Sequence, residues 1–599
     1  MSTSDTNSTS GVATFTIKVN GTVIPNELNV LSVHIDKSVN RIPIARILIL
    51  DGEPNTGSFE VSSSSTFVPG AFVSIEAGYD TKNEVIFEGI ITSQSLRIDG
   101  AIGSVLEIEC RDRSISMIVG RKSRTYSNKK DSEIITSIIE SYLGLTSDIE
   151  VTTTVWPEQV QYYVTDWDYI MTLAETNGLI VTAINGKISI SAPDINTTSV
   201  LTVTYGDNLM EFNAKLNSIA QLGSVTSNSW DYKNQAVINS EAVPNILGAG
   251  NLSTQKLSEV IGLSSSQQQT TAPLERADLN NWSKAQIIKS EYSKIIGAAK
   301  IQGTHVIDPG KYVTFAGLGD RFNGDYLIGG VVHDLSEGNW VTEVSLGLSP
   351  NWFAEETDVI APPASGLIPA ARGLFNGTVK KCFEDPDSQY RILVDIPLFD
   401  KNGNGIWARL SNFYSTRGAG VFFLPEVGDE VILGFLNEDP RYPIILGSLY
   451  SGKKIEPYSG LVPSENNSIK AIVSRSGISV AFDDENKVWT VSTPMKNTII
   501  VSDQDKQITI RDENQNSIVM NSNGIDISSQ KNITISAQEG VTIKGKSGIN
   551  IESRYGDVEI DGLNIKESAT IQYKAQGAVS AEVSSPGQLT LKGAMVIIN

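Results

Sequence analysis

The sequence predicts a mainly β protein: two β-barrels with helical insertions, a smaller five-stranded barrel, and a C-terminal β-helix in which three copies of the chain intertwine. Three observations carry this expectation. Apolar and polar residues alternate in Gly-punctuated runs from Thr14 to Cys110 and again from Leu201 to Leu348. Short strand-like runs crowd the stretch from Gly373 to Tyr450. Near the C-terminus, the triplets Ile525-Asp526-Ile527, Ile533-Thr534-Ile535, Val541-Thr542-Ile543 and Ile549-Asn550-Ile551 recur at a fixed step of eight residues.

Composition sets outer limits. A chain of 599 residues is long enough for several domains, and its 50 Gly favour turns and strands over long helices. The net charge of −21 argues against a nucleic-acid partner, which requires a basic face. Cys110 and Cys382 stand far apart, so neither a disulfide framework nor a cysteine metal site is implied. The opening MSTSDTNSTSGVATF has no basic and apolar leader, and no run reaches the length of a membrane span. Assembly in the cytoplasm without a signal peptide is therefore expected.

Taken in order, residues 1–11 read as a disordered tail and 12–200 as the first barrel with two helices. Asp131 is placed to cap the first helix, which buries Ile134, Ile135, Ile138, Ile139 and Tyr142 and stops at Gly144. Thr165 and Asp168 fit a capping box for the second, which stops at Gly178. The second barrel spans 201–357, with a mobile loop at SSSQQQTT (264–271) and a helix from Trp282 to Ile296. A linker rich in Ala and Pro covers 358–371. Residues 372–450 carry GTVKKC, QYRILVDIP, GIWARLSN, EVILGF and YPIILGSLY, a count and length that suit an OB-fold barrel. Residues 451–470 are a second linker, and 471–599 form the repeat.

Eight residues leave room for one strand and one turn, so a single chain advancing by eight covers one face of a prism per step. Two neighbours must supply the other faces, which makes the β-helix a homotrimer by construction. Its expected interior is Ile525, Ile527, Ile533, Ile535, Val541, Ile543, Ile549, Ile551, Val558 and Ile560. Some dozen strands from Ile472 onward give a rod on the order of 60 Å at about 4.8 Å per strand. A single-chain β-roll is the rival, but its Gly-Gly-x-Gly-x-Asp turns are missing. The last residues, Ala594, Met595, Val596, Ile597, Ile598 and Asn599, leave apolar edges at a blunt end that invites a capping partner.

Catalytic constellations are not found. His34, His305 and His333 lack metal-ligand spacing, and no cofactor or metal site is expected. Asp429 and Glu430 are adjacent on a strand and so face opposite ways. Phe422, Phe423, Trp407 and Tyr450 read as barrel core or subunit contact rather than as a base-stacking platform, because Lys and Arg are not interleaved.

A resemblance enters through the small barrel. Trp407-Ala408-Arg409 is followed by Phe423-Leu424-Pro425-Glu426-Val427-Gly428-Asp429-Glu430-Val431, by Gly434-Phe435, and by Leu446-Gly447-Ser448-Leu449-Tyr450. Trp407, Pro425, Gly428, Asp429, Glu430, Gly434 and Gly447 are its signature, and in this order the motifs resemble the OB module of VgrG-type and phage baseplate spike proteins. TDWDYIMTLAETNGLIV at 165–181 and GDRFNGDYLIGGVVHD at 319–334 resemble the hub half of those proteins. SRSGISVAFDD at 474–484 resembles the entry to their triple-stranded β-helix.

The resemblance implies a homotrimeric hub and membrane-puncturing spike at the tip of a contractile injection system: type VI secretion, an extracellular contractile particle or a phage tail. The two barrels per chain become hub barrels, and three chains present six similar units to a hexameric tail-tube protein. Baseplate proteins, a PAAR-type tip protein, effectors or other cargo, and a transient target membrane are the implied partners. No enzyme is expected, since neither a lysozyme-sized insertion nor an appended effector is seen. The alternative is a β-helical adhesin or polysaccharide-degrading enzyme, which needs a groove of clustered carboxylates or aromatics.

Overall fold

A computed structural model describes residues 11–100, 103–231, 234–245, 248–262, 265–356, 358–399, 404–452, 456–458 and 463–598. The expectations for the first ten residues and for Asn599 fall outside them. The chain divides into two compact units, Met1–Leu449 and Tyr450–Asn599.

In the first unit, strict alternation builds the sheet. Val33 and Ile35 on strand Val30–Ser38, and Ala45 and Ile47 on Ile44–Leu50, are buried on one face. Arg46 lies on the other, 3.5 Å from Glu109. Strands of both expected barrels join one 13-stranded sheet, the difference from the sequence expectation being a continuous seam between them. Along that seam Val30–Ser38 pairs antiparallel with Gly324–Ser336, in the register Lys37 to Val331 and Val33 to Leu335. Two apolar cores lie under this shared sheet, one around Ile47, Ile75 and Phe87 and the other around Val313, Phe315 and Val344. An alternating pattern reports which face of a strand is buried, but not which distant strand completes its ladder.

The helical insertion keeps its expected Ile face, but its first helix differs in the cap and in its extent, ending at Ile139 before Tyr142 and Gly144. Helix Asp131–Ile139 buries Ile134, Ile135, Ile138 and Ile139, and Gly144 takes a φ of +79°. Its N-cap is Lys130, whose N–H donates to Glu133 at 2.9 Å. Asp131 is instead the first helical residue, and its buried carboxylate accepts from Asn177 at 2.8 Å and from Gln159 at 3.3 Å. Helix Asp166–Thr176 is capped by Thr165, which accepts from the Asp168 N–H at 3.1 Å.

A second insertion between strands Leu209–Leu216 and Ile295–Gln302 corrects two expectations. Residues read as a mobile loop form strand Ser266–Thr270, parallel to Val225–Asp231. The Gln side chains make it possible: Gln268 accepts from Ser227 at 2.9 Å and donates to Gln286 at 3.3 Å, so a polar strand is satisfied where an apolar one was sought. The helix runs Arg276–Tyr292, ending before Ile295, which starts a strand.

The small barrel closes as expected, in the order Phe375–Lys381, Ile392–Asp395, Ile406–Leu410, Pro443–Leu449, Glu430–Phe435. Val379, Ile392, Val394, Ala408, Val431, Leu433 and Ile445 fill it.

The second unit has two parts. Ile469–Val473, Ser479–Asp483, Val488–Ser492, Thr498–Ser502, Gln507–Arg511, Ser517–Asn521 and Gly524–Ser528 form a seven-stranded antiparallel meander. Here the sequence expectation of a β-helix starting at 471 is corrected, since these strands pair within their own chain. The reason is local. Nine or ten residues separate the starts of successive strands up to Ser517, enough to reverse direction, and most reversals contain a residue in the left-handed region: Lys487, Lys496, Lys506 and Gln515. Asp483 and Asp512 fold those turns by accepting from the N–H groups of Asn486 at 3.1 Å and Asn516 at 2.8 Å.

Beyond Ser528 the chain is extended and bends at 530–531, 538–539, 546–547, 554–556, 563, 570–571, 578–579, 586–587 and 594, a step of eight with small local slips. Among the described residues from 529 to 598, no backbone N–H bonds a backbone C=O of the same chain.

Candidate functional site

Buried ionisable groups in the first unit act as fasteners. The Asp166 carboxylate is fully buried and accepts from Lys122 at 2.6 Å, Tyr142 at 2.7 Å and Gln161 at 2.7 Å. Burial pushes its pKa up, but these donors outweigh it and hold the group below the usual carboxylate range. Asp308 behaves alike: burial raises it, and Lys37 and Lys311, at 2.7 and 2.9 Å, bring it lower. Lys37 lies on strand Val30–Ser38 and Asp308 in the loop before strand Tyr312–Ala316, so this pair ties the two halves together across the seam. Glu175 pairs with Lys289 and accepts from the Phe353 N–H at 2.7 Å, with burial pushing its pKa up.

His333 is fully buried, and its Nδ1 lies 3.0 Å from the Thr342 hydroxyl. Burial, with Lys37 nearby, lowers its pKa to about 3, so the ring is neutral and structural. Among the described residues no group of three His, Cys, Asp or Glu side chains is placed to hold a metal ion. Nor is any helix among them long and apolar enough to cross a membrane.

In the small barrel the signature residues serve the fold. Gly428 takes a φ of +96° in the turn before Glu430–Phe435, a conformation a side chain would strain. Asp429 accepts from the Glu426 N–H at 2.8 Å and closes that turn behind Pro425, while Glu430 accepts from Asn376 at 2.6 Å. The two carboxylates thus have separate partners. Gly434 and Gly447 lie on the two strands that pair beside them. Trp407 is half-buried with Arg391 over its ring at 6.0 Å. Phe422, Phe423 and Tyr450 are exposed, which removes the barrel-core reading for them.

The C-terminal repeat leaves a long run of aliphatic side chains and backbone groups open in the single chain. Ile525 and Ile527 lie on the last meander strand, in register with Met520 and Ile518. Ile533, Ile535, Val541, Ile543, Ile549, Ile551, Val558 and Ile560 follow on unpaired extended chain. All ten are 53–72% exposed in the single chain. Isolated exposed aliphatics are ordinary, but here they recur periodically along backbone that makes no in-chain ladder beyond Ser528. The structure adds a feature that the triplets alone did not reveal. The residue four places after Ile533, Val541 and Ile549 belongs to a column of small residues beside the bends: Ala537, Gly545, Ser553, Gly562, Ala569, Gly577, Ser585, Gly593. At Gly545 and Gly577 an added Cβ would fall 2.2 and 1.9 Å from the carbonyl oxygens of Gly548 and Ser580, so those two corners admit only glycine. Reading Gly and Ala as part of the period would have carried the repeat to the C-terminus from the sequence. Ala594, Met595, Val596, Ile597 and Ile598 are exposed at its end.

Residues 375–450 match the type VI secretion system/phage-baseplate injector OB domain. The type VI secretion system spike protein VgrG1a of Pseudomonas aeruginosa is 31% identical over 78 residues, 13% of this chain and 12% of that protein, so the chain spans about an eighth of that curated relative's length. Among solved structures, the 43 kDa tail protein of a Shewanella oneidensis prophage aligns with a TM-score of 0.44 and 12% identity, covering 56% of this chain and 98% of its own. An E. coli component of the type VI secretion system aligns with a TM-score of 0.37 and 13% identity over 72% of this chain and 99% of its own. Residues 9–337, more than half of the chain, match the Alg8 N-terminal domain, and the chain belongs to that family.

Proposed function

We propose that this chain is the hub-and-spike subunit of a contractile injection system, working as a homotrimer whose C-terminal repeat closes into a triple-stranded β-helix that punctures a target membrane. The observation that carries the reading is the stretch 529–598: extended backbone with no in-chain backbone partner, bends every eight residues, and aliphatic side chains left in water. In such a trimer each chain moves to the next face at every bend. Residue i of one copy then lies beside residue i + 8 of a neighbour, and the open backbone groups are satisfied between chains. At about 4.8 Å per step the prism rises roughly 40 Å, shorter than the rod first expected because the meander supplies the remainder in a different form. Inward aliphatics from three interlocked chains resist unwinding, which suits a part driven through a membrane.

The matched injector OB domain supports the same placement. On this reading the first unit is the hub, with its two cores per chain offering six similar units to a hexameric tail-tube protein beside baseplate proteins. The apolar end, Ala594 to Asn599, takes a PAAR-type tip protein, and effectors ride on the assembly. The chain carries no catalytic activity of its own.

The test is Ile535→Asp, which sets three carboxylates near the axis without partners. Light scattering should read a trimer for the unmodified chain and a monomer for the variant; a trimer of normal mass in the variant removes the prism.

A further inference from the structure

The strict aliphatic pair does not persist along the repeat. Aligned on the bends, the pair of positions holding Ile533 and Ile535, Val541 and Ile543, or Ile549 and Ile551 later holds Ile565 and Glu567, Tyr573 and Ala575, then Ala581 and Val583. The Glu567 carboxylate lies near enough to the Tyr573 hydroxyl to raise its pKa, so one of these rungs carries a polar pair where the earlier ones carry Ile. Where the pair weakens, the bend itself changes. The bend residues of the strict rungs are Lys531, Glu539 and Ser547; those of the following four are Tyr555, Leu563, Ile571 and Val579; the next is Gly587. All four apolar bend residues are 98% exposed or more, higher than any aliphatic of the strict pairs. They stand eight residues apart, the same step as the chain's turn to a new face.

We infer that Tyr555, Leu563, Ile571 and Val579 form an apolar ladder along each edge of the trimer, every rung of which comes from a different copy of the chain than the rung below. The inference rests on the proposed trimer. If each chain advances one face per bend, Tyr555 of one copy, Leu563 of a second, Ile571 of the third and Val579 of the first fall on the same edge, one strand spacing apart. Four large apolar side chains stacked at about 4.8 Å shield one another from water, as identical side chains do in other stacked-strand assemblies. The occupant of this surface is therefore a second copy of the same chain. The ladder begins beside the nine-residue slip at 554–556 and spans the rungs with Glu567, Ala575 and Ala581. It supplies contact between copies where the interior supplies less, and it has no counterpart in the strict rungs, whose bends are polar or small.

The experiment uses the full chain with Cys382→Ser and two engineered cysteines. Leu563→Cys with Ile571→Cys sets thiols one spacing apart on neighbouring copies, within the 4.4–6.8 Å Cα separation a disulfide accepts. Leu563→Cys with Val579→Cys sets them two spacings apart, at roughly 9.6 Å and out of reach. Mild oxidation should convert the first variant, and not the second, into a covalent trimer on a non-reducing denaturing gel. Light scattering that reads a trimer while the first variant stays monomeric on the gel, or equal linking of both variants, overturns the ladder and leaves the trimer standing. A monomer by light scattering for the unmodified chain overturns the trimer and the ladder with it. Independently, Ile571→Ser should lower the melting temperature of the assembly more than Lys544→Ser, and equal shifts count against the ladder.

Discussion

Residues 469–528 and 529–598 are neighbours of similar length, both made of short Ile- and Val-rich strands, yet one satisfies its backbone within the chain and the other does not. The difference lies in the turns. Nine or ten leave room for a reversing turn with a left-handed residue and a side-chain acceptor, so Asp512 can hold Asn516 and the next strand returns beside the last. In the repeat a step of eight with a small residue beside the corner gives a bend and no in-chain ladder. Apolar content does not separate the two stretches; the turn residues do, as in the tight turn that pairs Ser517–Asn521 with Gly524–Ser528.

The comparison is tested most severely by amide hydrogen exchange on Ile535→Asp. Residues 531–598 should exchange at nearly unprotected rates once assembly is lost, whereas strands 488–511 should keep their protection because their partners are in the same chain. Loss of protection in both parts would make the meander as dependent on assembly as the repeat.

A smaller effect is expected at the hub seam, where pairing is again within the chain but is reinforced by charge. Asp308→Asn leaves Lys37 buried without its anion and should cost the hub about 3–5 kcal/mol in denaturant unfolding. Trimer mass should be unchanged, because the repeat does not use that pair; a loss of trimers would link the seam to assembly.

Smaller again is the acid response of the meander turns. Hydrogen bonds from the Asn486 and Asn516 side chains, with backbone N–H groups, hold the Asp483 and Asp512 carboxyls below their ordinary range. A carboxyl depressed in the folded state stabilises above its unfolded value, about 3.9, and that contribution disappears as pH falls through the folded value. Exchange at the hairpin turns should therefore rise below about pH 4, with no matching rise at the corners of the repeat, where small residues stand in place of Asp.

The smallest is Glu567→Ile, which restores the aliphatic pair at its rung and should raise the melting temperature of the assembly slightly. A fall would mean that the Tyr573 contact contributes more than an apolar pair would.

Much of this was legible in the residues. Alternation in Val30–Ser38 and Ile44–Leu50 marked buried faces, Thr165 and Gly178 marked the ends of a helix, and the run from Pro425 to Val431 marked the barrel that closes. Three things were not. The strand Ser266–Thr270 is polar and is satisfied by side chains distant in sequence. Asp131 looked like a cap and is instead a buried acceptor for Asn177, a contact made by folding. The meander shares its Ile pattern with the repeat, and only turn residues such as Lys487, Lys496, Lys506 and Gln515, in the left-handed region, set it apart.

By itself the sequence determined the local currency of the fold: which residues alternate, where the chain can turn, and that its C-terminal stretch steps by eight. Those follow from backbone geometry and side-chain polarity, which are properties of neighbours along the chain. Only the tertiary structure decided that both halves of the first unit share one sheet, that Lys37 meets Asp308 across 271 positions, and that the apolar bends at Tyr555, Leu563, Ile571 and Val579 stand open. Those depend on which distant segment offers a complementary edge or charge, and no local rule of turn or alternation specifies that choice.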